Sequence, residues 1–513
     1  MTITKDRNLG CSNRSRSLIH LLLVITMVTA AGTAAGQMRT NQRESNPRSF
    51  GRMFHLPPFA PPSPEITTAL ATLGQRGGVM DAGDNLAAGP VALIVDPALS
   101  SNNPNNDNQT AGLTFVGQFL DHDMTFDTTS RLGMPTNPRA AQNARTPYFD
   151  LDSVYGDGFT GSPLLYDPAD RVKFRLESGG LFEDLPRDAA GSAIIADPRN
   201  DENLVIAGLQ IALLRFHNHA VDIVRSEHPD WPAEEIFREA RRITTWHYQW
   251  IILHEMLPHF VGTTMADTVM AQGPQFYTPD SGRAFIPVEF QIAYRFGHSM
   301  VRPSYRANFT GEEGGPFFAM LFDGSGGSGE PDDLRGGFRS PRRFVGWQTF
   351  FRFPGFEADA RPNKRIDTRL STPLFDLPLG AIASGTPPTS LAQRNLLRHL
   401  TWQVPSGQSI AAAIGVPTLS ETDLPELFAI NPHLARSTPL WYYVLKEAEV
   451  VEDGLHLGPV GGRIVAEVFI GLLKGDPEGF LSKQPEFTPW LGSVPGAFNI
   501  IDLLTFAGVA DKR

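Results

Sequence analysis

Several short segments of the chain carry side chains whose type and spacing suit chemistry on a small polar molecule. The first spans residues 117–123, with the sequence GQFLDHD, and places two carboxylates around one imidazole. An imidazole that binds no metal can take a proton from one oxygen of a peroxide and return it to the other as the O–O bond breaks. His122 is therefore a candidate acid–base group, although a histidine near a helix end can also be purely structural.

A fixed positive charge is predicted from residues 197–203, with the sequence DPRNDEN, directly before an apolar run that begins at Leu204. A guanidinium group at this point would stabilise a polarised peroxide without having to reorganise during the reaction. Arg199 is the candidate. Taken alone, the same segment is also an ordinary polar entry into a helix.

A candidate metal ligand lies in residues 294–300, with the sequence YRFGHSM, inside a predicted amphipathic helix. Haem iron that has no thiolate ligand needs an axial side chain such as histidine, and His298 would supply it. Gly297 would let a flat macrocycle approach the backbone closely. A single histidine in a helix can equally be a core or surface residue.

A candidate calcium loop spans residues 146–153, with the sequence TPYFDLDS. Alternating carboxylates and hydroxyls in an extended loop can point their oxygens at one centre, as a hard cation requires. The carboxylate of Asp123 would complete the charge of the site. An Asp-x-Asp pattern also occurs in plain turns.

Other histidine pairs have spacings that argue against a metal site. His254 and His259 resemble the pair of a zinc-protease helix, but they are five residues apart rather than four, and Pro258 lies between them. His217 and His219 are too close in sequence to share a helix face. All four are predicted to be structural.

Composition limits the class of protein. The 513 residues are 41% hydrophobic, which is ample for a large core, and the net charge of -11 provides no basic surface for nucleic acid. Residues 1–36 have basic residues, an apolar run and then small residues, which is typical of a cleaved signal peptide, so we expect a secreted or periplasmic protein without stable membrane insertion. Cleavage would remove Cys11, the single cysteine, and with it disulfides and thiolate ligands.

The organisation of the chain follows from its periodicity. Residues 37–110 are rich in Pro, Asn, Ser and Arg and are predicted to form an extended or loop-rich arm, followed by a catalytic domain over residues 111–513. Strand patterns are scarce, so the predicted fold is mainly α, and the Gly-rich residues 311–337 are predicted to be a loop. Helices are predicted over residues 115–121, 204–225, 232–257, 287–300, 391–400, 423–429, 434–447 and 461–473.

The segments occur in the order and approximate spacing of the animal-type haem peroxidases of the peroxidase–cyclooxygenase superfamily, whose members include myeloperoxidase, lactoperoxidase and peroxidasin. The resemblance covers residues 112–507. It includes residues 390–398 (SLAQRNLLR) and 404–408 (VPSGQ), which are similar to the bacterial branch. The resemblance implies a mainly helical fold with haem b buried between helices.

The resemblance also implies a role for individual residues. His122 would be the distal acid–base group, Gln118 a distal hydrogen-bonding group, Arg199 the distal arginine, His298 the proximal iron ligand and Asn395 the group that holds its imidazole. Asp121 and Glu202 match the carboxylates that esterify haem in mammalian members. The implied calcium ligands are Asp123, Thr146, the Tyr148 carbonyl, Asp150 and Asp152, the last in place of a serine.

The implied activity is reduction of hydrogen peroxide, with oxidation of a small reducing substrate such as a halide, thiocyanate or a phenol. Two alternatives remain. A fatty-acid dioxygenase of the cyclooxygenase branch would carry a radical-forming tyrosine three residues before the proximal histidine, where this chain has Arg295, with Tyr294 one residue off. A haem-free adhesion or matrix protein would keep the scaffold without needing His122, Arg199 and His298 together.

Overall fold

Helices dominate the architecture of the chain, as seen in a computed structural model. It describes residues 50–279, 283–310, 315–323, 332–337, 342–382 and 384–513. These residues all belong to one compact unit. The expected signal peptide, the first part of the arm and much of the Gly-rich segment lie outside the described residues.

The α-helices are numbered here in chain order. They are α1 Pro64–Leu73, α2 Gly89–Val95, α3 Gly112–Met124, α4 Asp152–Tyr155, α5 Gly158–Gly161, α6 Leu204–Glu227, α7 Ala233–Ile251, α8 Leu257–Val261, α9 Thr263–Gln272, α10 Val288–Ala293, α11 Leu391–Trp402, α12 Gly407–Ile414, α13 Pro425–Ile430, α14 Pro432–Arg436, α15 Leu440–Val451, α16 Pro459–Gly475, α17 Phe480–Lys483 and α18 Ile500–Phe506. The prediction of a mainly helical fold is confirmed.

The strands are short and form two-stranded pairs. They are β1 Phe50–Gly51, β2 Asn105–Thr110, β3 Glu177–Ser178, β4 Glu183–Asp184, β5 Ile286–Pro287, β6 Ser304–Arg306, β7 Phe318–Met320 and β8 Pro362–Lys364. The pair β1–β5 is parallel, and the pairs β2–β8, β3–β4 and β6–β7 are antiparallel.

Helix α6 is the longest helix and begins at a strong cap. The side chain of Asn203 accepts hydrogen bonds from the amides of Val205 and Ile206, which satisfies two donors that have no partner within the helix. This helix is long and apolar enough to cross a bilayer, but 72% of its most apolar window is buried inside the protein. It packs against α3, α7 and α18 as a core helix.

Two predicted helices are interrupted in the structure. The prediction over residues 434–447 is wrong as one helix, because α14 ends at Arg436 and α15 starts after Pro439. A proline disfavours helical geometry in the residue before it and cannot donate a backbone hydrogen bond. The predicted helix over residues 232–257 is interrupted as well, since α7 ends at Ile251. A π-helical turn, Ile252–Met256, follows α7, and Pro258 then lies in the first turn of α8, where no amide hydrogen is needed.

The described part of the predicted arm is more ordered than its composition indicates. It contains α1 and α2 as well as loops, and Phe50, Phe59 and Leu70 are buried in the common core. Phe50 packs on Trp402, with 5.4 Å between the ring centroids. Residues 50–110 therefore wrap onto the helical body, and their hydrophobic residues, spread between polar ones, have no period that reveals this.

Candidate active site

The predicted acid–base histidine lies near the end of α3. His122 is buried, and its Nδ1 is 2.9 Å from Oδ1 of Asn200, which belongs to the 3₁₀ turn Pro198–Asp201 just before α6. Burial, and then the charge of Arg199, lowers the pKa of His122 to about 4. The imidazole is therefore neutral at pH 7 and able to accept a proton.

The predicted arginine is fixed from several sides. The Nε and Nη2 groups of Arg199 donate to the two carboxylate oxygens of Asp197 over 3.0 and 2.8 Å, and Nη2 also donates to the backbone oxygen of His122 over 2.9 Å. The guanidinium lies over the ring of Phe126, 4.2 Å from its centroid. Burial acts to lower the pKa of Arg199, but the charge of Asp197 prevails and raises it. The positive charge next to His122 is therefore permanent.

Side-chain hydrogen bonds join residues 117–123 to residues 197–203 beside His122. Gln118 donates to Oε2 of Glu202 over 3.1 Å, and Asn203 donates to Oε1 of Gln118 over 3.2 Å. The same carboxylate oxygen of Glu202 is 3.7 Å from Nε2 of His122. Burial raises the pKa of Glu202 to about 7, against the opposing charge of Arg199.

The predicted iron ligand belongs to a 3₁₀ segment, Tyr294–Met300, that continues α10, and not to the α-helix expected there. Nδ1 of His298 is 2.8 Å from the amide nitrogen of Asn395, on α11. Burial, and then the charge of Arg295, lowers the pKa of His298 to about 3. The ring is thus neutral, as a metal ligand must be.

One cavity of about 290 Å³ brings the predicted residues together. Its wall includes seven residues that the sequence analysis singled out: Gln118, Asp121, His122, Arg199, Glu202, His298 and Asn395. Two further cavities enclose about 30 and 20 Å³ and contain none of these residues. The segments around His122, Arg199 and His298, far apart in sequence, therefore form one site.

The cavity wall also contains three arginines to which the sequence analysis gave no role in the site. Arg295 precedes His298 by three residues, and Arg394 and Arg398 lie one turn apart on α11 around Asn395. Burial, and then the charge of Arg398, lowers the pKa of Arg295 to about 10. A helical projection of residues 391–402 would have placed Arg394 and Arg398 beside Asn395.

The carboxylates of the predicted calcium loop converge. One oxygen each from Asp123, Asp150 and Asp152 lies within 4.8 Å of the others. Thr146 donates from Oγ1 to Asp150 over 2.6 Å and from its amide to Asp152 over 3.0 Å. Burial, followed by the charges of Asp150 and Asp152, raises the pKa of Asp123 well above its usual range. The half-buried Tyr148 lies in the same loop.

The four histidines predicted to be structural have contacts that suit that role. His217 lies 3.0 Å from the Tyr155 hydroxyl through Nδ1 and 2.9 Å from a backbone oxygen through Nε2. His219 contacts the backbone oxygen of Phe506, and His254 stacks on Trp250. In the described residues, neither these two nor His259 joins a cluster of metal-ligating side chains.

Parts of the chain are similar in sequence to known proteins. Residues 128–316 match the family model of the animal haem peroxidases. The chain is 31% identical over 141 residues to a dual oxidase of Drosophila melanogaster, which covers 28% of this chain and 8% of that protein. It is 28% identical over 204 residues to the human protein named probable oxidoreductase PXDNL, which covers 36% of this chain and 14% of that protein. The chain thus spans a small part of these relatives.

Two solved structures share the fold. Peroxidase A from Dictyostelium discoideum superposes with a TM-score of 0.57 at 16% identity, over 91% of both chains. The Oryza sativa fatty acid alpha-dioxygenase superposes with a TM-score of 0.53 at 14% identity, over 80% of this chain and 74% of that one. The chain is therefore similar to the animal haem peroxidases over residues 128–316, and its fold is that of these two solved structures.

The cavity wall suits a haem group. A Cβ atom added to Gly297 would meet nothing within 4 Å, so the backbone beside His298 is open on that side. Two buried atoms in the wall lack hydrogen-bond partners, Oε1 of Gln291 and Nε of Arg295. Burial and the neighbouring Arg398 both act against the positive charge of Arg295, so this guanidinium can pair with an anionic carboxylate of the cofactor.

The contact between Asn395 and His298 also bears on this fit. A metal bound at Nε2 of His298 requires the ring proton on Nδ1, which must then donate. As placed, the oxygen of Asn395 accepts from Nη1 of Arg295 over 3.5 Å, and a half-turn of the amide would release Arg295 and let this oxygen accept the proton instead. Asn395 can therefore orient the ring for iron at Nε2.

Proposed function

We propose that this protein is a haem peroxidase that reduces hydrogen peroxide and oxidises a small donor. The observation that carries the proposal is the single cavity in which neutral His122, charged Arg199 and neutral His298 all lie. A peroxidase needs a base, a fixed positive charge and an axial iron ligand around one space.

His298 would hold haem b through Nε2, with Asn395 orienting its ring. Arg295 and Arg394, on the cavity wall, would bind the carboxylates of the cofactor. When bound, the haem supplies the iron at which the peroxide O–O bond is cleaved. Asp121 and Glu202 are the carboxylates proposed to attach it covalently.

The chain's own residues would manage the proton. His122, with its low pKa, takes a proton from one peroxide oxygen and returns it to the other, which leaves as water. Arg199 stabilises the negative charge that develops as the bond breaks, without moving, since Asp197 already holds it. Gln118, held by Glu202 and Asn203, orients the substrate from the side.

The donor is proposed to be bromide, iodide, thiocyanate or a phenol. Asn203 stands where myeloperoxidase has a methionine that forms a sulfonium link to haem, and an asparagine cannot form one. Its side chain here caps α6 and contacts Gln118. Without the electron-withdrawing link, we propose a weaker oxidant that is poor with chloride. Secretion of the protein belongs to the same proposal.

Calcium is proposed to occupy the site formed by Asp123, Thr146, Tyr148, Asp150 and Asp152. Three carboxylates held this close without a cation repel one another, whereas a hard cation with oxygen ligands would neutralise them. The site adjoins the cavity, because Asp123 follows His122 directly on α3.

A fatty-acid dioxygenase is the second candidate, and the shared fold of the Oryza sativa enzyme does not separate it from a peroxidase. Tyr294 is the one tyrosine among the described residues of the cavity wall. Its hydroxyl donates to the backbone oxygen of Gly117 over 3.0 Å. Tyr294 is one residue away from the position, three before His298, where such a dioxygenase would carry its radical-forming tyrosine, and Arg295 occupies that position, which favours the peroxidase.

The test is a spectrum of the purified protein before and after peroxide, followed by turnover assays. We expect a Soret band that peroxide changes, and peroxide-dependent oxidation of bromide, thiocyanate or guaiacol, with much slower oxidation of chloride at pH 7. Oxygen uptake with a fatty acid and no response to peroxide would instead support the dioxygenase. Absence of any bound haem would support the haem-free alternative.

A further inference from the structure

We propose that Asn200 is a positioning residue that fixes which ring nitrogen of His122 carries the proton, and that Gln210 in turn fixes Asn200. The inference rests on the proposed function, in which Nε2 of His122 must be the free base. It concerns two buried amides, Asn200 and Gln210, to which the sequence analysis gave no role.

The three side chains form a chain of hydrogen bonds away from solvent. Oδ1 of Asn200 is 2.9 Å from Nδ1 of His122, and Nδ2 of Asn200 donates to Oε1 of Gln210 over 2.8 Å. The exposed fractions are 4% for His122, 0% for Asn200 and 1% for Gln210. Water therefore cannot replace either contact.

The direction of the chain is set by how the two amides are placed in the structure. An amide nitrogen only donates and an amide oxygen only accepts. Because Nδ2 of Asn200 is engaged by the Gln210 oxygen, its own oxygen is the atom that faces His122. An oxygen can only accept, so Nδ1 of His122 must carry the proton.

The other ring nitrogen is then the base. A neutral imidazole carries one proton, so Nε2 keeps its lone pair. This nitrogen lies 3.7 Å from the Glu202 carboxylate, and both residues line the cavity. The opposite tautomer would set two buried acceptors against each other and turn an N–H toward the peroxide, which removes the base.

The position of Gln210 supports a specific role. It lies inside the apolar run of α6, where Leu209, Ile211 and Ala212 are also buried. A buried polar side chain at such a point is unfavourable unless it is hydrogen-bonded. Its contact with Asn200 provides that bond and ties the tautomer of His122 to the core helix.

The test compares Asn200→Leu, which removes the acceptor at nearly constant size, with Asn200→Asp, which keeps an oxygen at the same place. Two rates are measured by the Soret band of the haem-loaded protein: reaction with peroxide, and binding of cyanide. Cyanide enters as hydrogen cyanide and must also lose its proton, but no turnover follows. His254→Ala, at an exposed site outside the cavity, is the control for effects of substitution and purification that do not involve His122.

We expect Asn200→Leu to slow both rates by about tenfold or more, up to the ~10²–10⁴-fold that a general base typically contributes. Asn200→Asp should recover most of the cyanide rate, which a merely structural role would not explain. Gln210→Leu should slow both rates to a smaller degree, because Asn200 is then free to turn. It is the variant to use if Asn200→Leu does not retain haem.

Rates within about twofold of the wild type in Asn200→Leu, with normal haem content, would overturn the inference. So would equal losses in the Leu and Asp variants. Failure of the proposed function is a different result, in which the wild-type protein itself binds cyanide but does not respond to peroxide. The cyanide comparison still tests the tautomer in that case.

Discussion

The two imidazoles of the cavity are prepared for different tasks by their amide neighbours. Both are neutral, since burial lowers the pKa of His122 to about 4 and that of His298 to about 3. Nδ1 of His122 faces an amide oxygen of Asn200, and Nδ1 of His298 faces the amide of Asn395. In the proposed reaction each ring presents Nε2 to the cavity, one for a proton and one for iron, and for His298 this requires the Asn395 amide to turn its oxygen toward Nδ1.

At His298, we predict that substitution by Ala removes haem. Among the described residues of the cavity wall the one other histidine is His122, on α3, so the iron would lose its axial ligand. Haem content, measured as the ratio of Soret to protein absorbance, should fall to a small fraction of the wild-type value. The control His254→Ala should keep it. Full haem occupancy with an unchanged Soret band in His298→Ala would rule out this ligand.

For His122 and Arg199, we predict that Ala substitutions keep haem but slow the reaction with peroxide by about 10²-fold or more. Stopped-flow absorbance gives the rate constant. In the wild type this rate should fall as the pH decreases through about 4, because protonation of His122 then removes the base. A rate within about twofold of the wild type in either variant would exclude that residue from the step, since twofold corresponds to less than about 0.5 kcal/mol.

At the level of elements, α3 couples the carboxylate cluster to the cavity. His122 and Asp123 are successive residues, so they point to different sides of one helix, the first to the cavity and the second to the loop that contains Asp150 and Asp152. Leu151 and Ser153 of this loop donate to Asp123. Any movement of the loop therefore shifts the end of α3.

We predict that calcium removal lowers the melting temperature and the activity together, and that Asp152→Asn separates charge from metal binding. With calcium, the variant should be less stable than the wild type, because a charged ligand is lost. In chelator it should be equal or more stable, because carboxylate repulsion is relieved. The control Asp267→Asn, at an exposed position, should change neither value. An active protein that contains no calcium would contradict the site.

The sequence predicts elements and sites to different extents. Motif residues and long helices were found because their signals are local: α6 was predicted over residues 204–225 and spans Leu204–Glu227. The hydrogen-bonding partners of His122 were not predicted. Asn200 follows Arg199 directly but carries no charge, and Gln210 lies within an apolar run, so only the fold shows that the three side chains meet. The break at Pro439 was missed because an apolar period continued across it.

At the scale of the molecule, residues 50–53 pack against the elements that lead to His298. Strand β1 pairs with β5, which leads directly into α10. Arg52 donates to the backbone oxygens of Trp402 and Gln403, at the end of α11. The amide of Met53 donates to Oε2 of Glu289 over 2.9 Å, within the first turn of α10. Residues 50–53 thus contact α10, which leads to His298, and the end of α11, which carries Asn395.

Glu289 should make the packing of residues 50–53 against α10 depend on pH. Its side chain is fully buried, its Oε1 has no hydrogen-bond partner, and the nearest guanidinium nitrogen, of Arg52, is 3.9 Å away. Burial raises the pKa of Glu289 to about 7, whereas the unfolded chain has the ordinary value of 4.5. The folded state therefore binds this proton more tightly than the unfolded state. The resulting stabilisation is fully present below about pH 4.5 and is lost as the pH rises through about 7.

We therefore predict that Glu289→Gln, which keeps an acceptor for Met53 but cannot ionise, is as stable as the wild type near pH 5 and more stable near pH 8. One pKa unit corresponds to about 1.36 kcal/mol, so the gain at pH 8 can approach about 3 kcal/mol. Urea unfolding at the two pH values measures it, with Glu234→Gln, at an exposed position of α7, as the control. Protease cleavage of the wild type near residue 53 should also increase at pH 8 and be suppressed in Glu289→Gln. Equal stability of the two proteins at both pH values would show that ionisation of Glu289 does not control the packing of residues 50–53 against α10.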